Sequence, residues 1–225
     1  MASLRTRPSA FEIVDYPSAT VRLNSSDSER DIQKGEGGVM ALILGLDIAT
    51  TTGFAWYEPG ASLSSIKTGL IKAAGDNAEE KAASLAQQLV AMFKTGRPDF
   101  VAIEQPMRNV VSFKKTRETL AGPVDEQTVN PNALQLSSLA GAAVAIIAAY
   151  RIPWETIPSA TWRKHFLGMG RSPGFDRAMW KRAAVERCRV FKIEVKNADA
   201  AEAVGIAMAG EACQRFKAMQ ARAAA

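Results

Sequence analysis

Apolar residues lead directly into one carboxylate in Leu42-Ile43-Leu44-Gly45-Leu46-Asp47, a short run of small hydroxylated residues closes on Gly53, and a second apolar run follows. This pattern predicts a strand, a tight polar turn and a returning strand, with Asp47 near the end of the first. Gly53 to Tyr57 reads as the second strand and Ser65 to Ile71 as a third, with Pro59-Gly60 turning the chain between them. Two close turns joining three strands predict an antiparallel meander. Asn77 to Phe93 then carries apolar residues at helical spacing, namely Ala82, Leu85, Ala86, Leu89 and Phe93. Glu79 and Glu80 favour the N-terminal end of that helix, and Gly96-Arg97-Pro98 ends it.

Phe100-Val101-Ala102-Ile103-Glu104 repeats the opening theme, a short apolar strand ending in a carboxylate. A helix separates it from the meander, so it is expected to run parallel to the first strand. Asp47 and Glu104 would then share one C-terminal sheet edge, where open α/β sheets place their chemistry. Met107 to Asn130 reads as a polar connection, long for a passive loop, that either touches a substrate or is plain surface. Asn132 to Tyr150 predicts a helix rich in small residues (Ala140, Gly141, Ala142, Ala143, Ala145, Ala148, Ala149) suited to close packing on a sheet. Ile152 to Ile157 predicts another strand, and Ser159 is placed to cap the helix that follows. Gly168, Gly170 and Gly174 divide two further helices, and a last helix runs from about Asn197 to about Phe216.

Residues 1–39 lack such periodicity and are rich in Ser, Arg, Asp and Glu, so a largely disordered extension is expected there, with Phe11 to Val14 as its one apolar patch. Lys34 to Gly38 would be encoded by purine-rich codons resembling a ribosome-binding sequence, so Met40 is an expected alternative start. The chain of 225 residues carries a net charge of +5 with a pI near 9.3. The extension holds five Lys/Arg against six Asp/Glu, which leaves +6 on the remainder. The basic character therefore belongs to the folded part, which permits nucleic-acid binding. It concentrates between Thr161 and Lys192, where nine basic residues face only Asp176 and Glu186. Arg163, Lys164, Arg171, Arg177 and Lys181 are candidate phosphate contacts there, as are Lys114 and Lys115 in the polar connection. Trp162, Trp180 and Phe175 either stack on bases or serve the core.

The single His165 excludes a multi-histidine zinc site. Cys188 and Cys213 have no metal-ligand spacing and read as reduced, helical thiols of a cytoplasmic protein. Leu139 to Tyr150 is too short and too interrupted by glycine to argue for a membrane span. Asp199 and Glu202 stand three apart, on one face of the last helix. Acidic residues at a helix N-terminus need no further explanation, yet the apolar body of this helix would pack it on the sheet and return its acids to Asp47 and Glu104. Four neighbouring carboxylates repel unless cations join them, and oxygen ligands suit Mg²⁺ or Mn²⁺. Two such ions can activate water and stabilise the leaving oxygen of a phosphodiester.

Three segments carry a resemblance to a known family: Leu44-Gly45-Leu46-Asp47 through Thr52-Gly53, Ala102-Ile103-Glu104-Gln105-Pro106, and Asn197-Ala198-Asp199-Ala200-Ala201-Glu202-Ala203 through Ala207. With the small-residue helix and the segment from Pro158-Ser159 to Gly168-Met169-Gly170, they resemble the RuvC-type Holliday-junction resolvases and their phage relatives in the ribonuclease H-like superfamily. The resemblance implies an α/β fold with a mixed five-stranded sheet flanked by helices over residues 40–217, followed by a short tail at 218–225. It implies a Mg²⁺-dependent homodimeric endonuclease for branched DNA, in particular four-way junctions, with Asp47, Glu104, Asp199 and Glu202 as catalytic metal ligands. Glu202 stands where bacterial members frequently have aspartate, and the extension and Pro106 are further departures. Two other readings remain at this point: a sugar kinase or ATPase of the actin-like fold, suggested by the turn after Asp47, and a non-catalytic DNA-recombination protein. A broader flap endonuclease is the nearest variant within nuclease function.

Overall fold

The computed structural model describes residues 41–106, 112–119 and 122–224. The expected disordered extension and the alternative start at Met40 lie outside them. Three strands, β1 (Ile43–Asp47), β2 (Thr51–Tyr57) and β3 (Lys67–Lys72), form the predicted antiparallel meander. Helix α1 (Ala78–Thr95) crosses to β4 (Phe100–Glu104), which pairs parallel to β1, and β7 (Trp154–Ile157) pairs parallel to β4. The sheet order is β3-β2-β1-β4-β7, a mixed five-stranded sheet of the ribonuclease H-like kind. Asn77 caps α1, its side chain accepting from the Glu80 amide at 2.8 Å.

Alternation along the strands sorts the two faces. Leu44 and Leu46 of β1, with Val101 and Ile103 of β4, join Leu85 and Leu89 of α1 on one side. Helix α2 (Pro131–Ala149) packs against α1 and adds Leu139, Ala143 and Ile147 to that cluster. Ile43 of β1, Phe100 and Ala102 of β4, and Ala55 and Tyr57 of β2 face the other side. That side is covered by α5 (Ala198–Ala212), buried from Ala200 to Ala207. Helices α3 (Ser159–Leu167) and α4 (Arg177–Val190) lie against α5 and contribute Trp162, Phe166, Ala184 and Cys188. Asp47, Glu104 and Gly53 have the parity of this second face.

Several expectations are corrected. The polar connection forms a two-stranded antiparallel hairpin, β5 (Ser112–Thr119) with β6 (Gly122–Val129). Gly122 has a φ of 110°, the left-handed backbone that glycine adopts without strain. The hairpin lacks alternating apolar residues, which is why periodicity missed it. The small-residue helix is not packed along its whole length: Ala140 and Ala143 are buried, while Gly141, Ala145, Ala148 and Ala149 are exposed. By length and composition α2 is apolar enough to cross a membrane, yet its inner stripe belongs to the core shared with α1 and the sheet. The last helix ends at Ala212, and α6 (Gln214–Ala223) runs through most of the expected tail. Cys213 is the junction between them rather than a helical thiol, its sulfur accepting from the Phe216 amide. Both cysteines are free, and burial pushes the Cys188 thiol up to about 12.

Candidate metal centre

Asp47 ends β1 and Glu104 ends β4, so the parallel pairing carries both carboxylates to one sheet edge. The turn after Asp47 closes on itself, with the Thr52 hydroxyl donating to the Ala49 carbonyl at 2.8 Å. Asn197 caps α5, its side chain accepting from the Ala200 amide at 2.9 Å, and this aims the first turn of the helix at β1 and β2. Asp199 and Glu202 descend from that turn, and Glu202 is only 6% exposed.

Glycines make the approach possible. Gly53 pairs with Asp47 across the β1–β2 ladder, and a side chain there would collide with the backbone of Asp199. A Cβ on Gly45 would come within 2.7 Å of Ala207 on the same helix. Gly210 meets β4 in the same way, its Cβ falling 2.6 Å from that of Ala102. Helix α5 therefore lies backbone against backbone on the centre of the sheet, close enough for its acids to reach Asp47. Gly53 belongs to the opening motif, but pattern alone read it as the start of a strand. Its part in seating α5 follows from the packing.

Ligand atoms of Asp47, Asp199 and Glu202 all lie within 4.8 Å of one another. Asp47 is 9% exposed, and its carboxyl is pushed up to about 9. Burial is the first cause, followed by repulsion from Glu104 and Glu202, a hydrogen bond with Glu104 and repulsion from Asp199. Burial also raises Glu202, opposed by the positive charges of Lys181 and Arg163. Such a donor set, all oxygen and short of positive charge, fits a hard divalent cation.

Glu104 stands beside this triad and is held differently. The Ser159 hydroxyl donates to its Oε1 at 2.6 Å and the Trp162 indole N–H donates to the same oxygen at 3.0 Å. Ser159 was expected to cap α3. Instead Pro158 occupies the cap position with no side-chain bond, and the Ser159 hydroxyl serves Glu104. Trp162 is fully buried and Trp180 nearly so, which makes them core residues, while Phe175 is 37% exposed and stacks edge-on against Trp180.

The basic candidates divide into inner and outer sets. The Arg163 guanidinium lies 4.8 Å from the Trp180 ring centroid and 5.2 Å from that of Trp162, with its Nε buried and unpartnered. Lys181 binds Asp199 and lies 3.8 Å from a Glu202 oxygen. Lys164, Arg171 and Arg177 are exposed around α3 and the start of α4, and Lys114 is exposed on β5. Lys115 is also on β5, but its side chain lies outside the described residues. His165 is exposed on α3 and takes no part in the acidic cluster.

Neither a protein-family model nor a characterised protein matches the sequence. Solved structures do match. The Thermus thermophilus RuvC in complex with a Holliday junction substrate superposes with a TM-score of 0.51 at 15% identity, over 75% of this chain and 92% of that one. The fold is RuvC-type. A second structure of Thermus thermophilus RuvC aligns at 14% identity with a TM-score of 0.49, over 75% of this chain and 91% of that one. At such identity the likeness speaks for the fold, and the acids must speak for the chemistry. The chain thus joins a RuvC-type, ribonuclease H-like fold to an acidic triad that suits a divalent metal.

Proposed function

We propose that this protein is a metal-dependent endonuclease that resolves branched DNA, with four-way junctions as its substrate. The observation that carries the reading is the convergence of Asp47, Asp199 and Glu202 within 4.8 Å at one sheet edge, with Glu104 anchored beside them. Bound Mg²⁺ or Mn²⁺, as a pair, would supply water activation and charge neutralisation for in-line phosphodiester hydrolysis. Asp47, from the central strand, would hold the cations together with Asp199 and Glu202. Glu104 would add a further oxygen ligand while Ser159 and Trp162 hold its Oε1. No cysteine or serine nucleophile is required, and cleavage would leave a 5′-phosphate and a 3′-hydroxyl.

Substrate recognition rests on the outer basic set. Lys164 on α3, Arg171 between α3 and α4, and Arg177 at the start of α4 are exposed and suited to phosphate contacts that position the backbone without reading sequence. In this reading Lys114 and Lys115, on the hairpin that follows Glu104 in sequence, would add further phosphate contacts. Two symmetric cuts in one junction need two centres, and α2 supports a homodimer. Its outward strip of Ser137, Gly141, Ala145 and Ala148, with Leu134 57% exposed at one end, admits close approach of a second helix. We place this activity in the cytoplasm.

The test compares junction, flap, duplex and single-stranded DNA with Mg²⁺ or Mn²⁺. Paired symmetric nicks on a mobile junction are expected. Equal cutting of linear duplex would end the resolvase assignment and leave a nuclease. Preference for flaps would favour the broader branch endonuclease, and binding without any cut would favour a recombination protein that does not cleave.

A further inference from the structure

We propose that Lys181 is a built-in counter-ion of the acidic centre, seated on Asp199 and Glu202 until a divalent cation displaces it toward the DNA. The proposal rests on the metal-centre reading above and adds to it a competition between a side chain and the metal. Lys181 projects from α4, which packs along α5. Its Nζ donates to Asp199 Oδ1 and stands 3.8 Å from Glu202 Oε2. Both residues belong to the triad whose oxygens converge within 4.8 Å, so the ammonium and a cation would draw on the same two carboxylates.

One ammonium is too little for this cluster. Glu104, Glu202 and Asp199 all repel Asp47, and Glu104 and Asp199 repel Glu202, while the ammonium is bonded to Asp199. A lysine suits a temporary occupant. It is a compact point charge on a flexible four-carbon stem, whereas the planar guanidinium of arginine would lock a carboxylate in a bidentate pair. Its side chain is 25% exposed, so it is already in part at the protein surface. Arg163 makes the contrast: its guanidinium lies over the rings of Trp162 and Trp180 and its Nε is buried.

Arg177 lies one helical turn before Lys181, on the same side of α4, and is exposed. An ammonium freed from Asp199 would join Arg177 in a row facing the substrate. Metal binding would thereby convert an internal ion pair into a phosphate contact. Linkage then requires the reverse effect, so that DNA tightens the metal.

The experiment titrates Mn²⁺ into DNA-free protein by calorimetry, comparing wild type with Lys181→Met and Lys181→Arg, and follows each by thermal unfolding. Lys181→Met is expected to bind Mn²⁺ about tenfold more tightly than wild type. Its metal-free Tm is expected to fall and its Mn²⁺-induced rise in Tm to exceed that of wild type. Lys181→Arg, which keeps a charge at the pair, is expected to bind no more tightly than wild type. Unchanged or weaker Mn²⁺ binding by Lys181→Met overturns the proposal and leaves the metal centre standing. Absence of Mn²⁺ binding by all three proteins overturns the metal centre as well. Wild-type protein with ¹³C-labelled lysine gives a measurement independent of any variant's folding. The Lys181 Cε resonance is expected to move on saturation with Mg²⁺, and an unmoved resonance overturns the displacement.

Discussion

Helices α5 and α2 are both built from alanine, glycine and aliphatic residues, yet α5 is buried on almost every side while α2 leaves Leu134, Gly141, Ala145 and Ala148 in solvent. The glycines register the difference. A Cβ added at Gly205 of α5 would meet Phe166 and Trp162 at 2.8 Å, whereas one added at Gly141 of α2 would meet nothing within 4 Å. Helix α5 needs small residues because its backbone lies on β1 and β2 and must deliver two acids to Asp47. The small residues on the outer face of α2 have no partner among the described residues. Composition alone reads both as core helices. What separates them is whether the small residues meet a packed surface among the described residues.

The most severe test of the α5 side is the loss of Asp47. Asp47→Asn is expected to lower the cleavage rate by more than about 10³-fold, since one oxygen ligand of the centre disappears. Calorimetric Mn²⁺ binding should fall with it. A variant that cuts normally would separate the acidic triad from the chemistry. The same residue sets a pH dependence. In metal-free protein its carboxyl is raised from an ordinary 3.8 to about 9, so between those values the folded chain holds a proton that the unfolded chain has lost. Stability with a chelator present should therefore decline as pH rises from about 4 toward about 9. Asp47→Asn should flatten that decline, and saturating Mn²⁺ should oppose it. Urea melts across the pH range would show both.

The two sets of glycines offer the next largest contrast. Gly53→Ala must push the Asp199 backbone away, and overpacking of this kind costs about 1–3 kcal/mol. Metal affinity should drop in parallel, because the same displacement separates Asp199 from Asp47. Gly141→Ala adds a methyl group in open space within a helix and should stabilise the monomer by about 1 kcal/mol. Equal destabilisation by both substitutions would erase the distinction between the two helices.

This contrast also marks how far the sequence could be read. The meander, the parallel strand and the sheet edge shared by Asp47 and Glu104 followed from apolar runs ending in carboxylates, and the common helix face of Asp199 and Glu202 from their i, i+3 spacing. Strand faces did not follow. Leu42 to Leu46 and Phe100 to Ile103 are apolar at every position because helices cover both sides, so no alternation revealed which face Asp47 takes. Ser159 was legible only as a cap, since its bond to Glu104 spans 55 residues. The hairpin carries its signal in Gly122 at the start of β6 and in β-branched residues such as Thr116 and Val124, rather than in a buried stripe. Arg163 and Lys181 stand in a run of positive charge that looks uniform in sequence. Only packing shows that one lies over tryptophan rings and the other on Asp199.

The α2 side is tested by charge. Ala145→Arg places a guanidinium on the exposed strip and is expected to weaken self-association at least about tenfold, as read by sedimentation velocity. Because Ala145 lies outside the acidic centre, Mn²⁺ binding per chain should be unchanged. Paired cuts in one junction should then give way to single nicks. An unaltered sedimentation profile would move the dimer surface elsewhere and leave the exposed strip unexplained.

The smallest expected effect returns to the acids and asks whether Glu104 is positioned or merely nearby. Ser159→Ala removes the shorter of the two bonds to Oε1 and leaves the Trp162 indole as its only donor. Losing a hydrogen bond that orients a metal ligand lowers metal affinity by about 10–100-fold, and the low end is expected because Trp162 remains. Ser159→Thr keeps a hydroxyl and should recover most of the loss. The global Tm should move little, since Ser159 caps nothing. A defect in Mn²⁺ affinity that threonine restores, without a matching change in Tm, would show that Glu104 is held for the metal. An equal loss in both variants would mean that the hydroxyl serves only local packing at the start of α3.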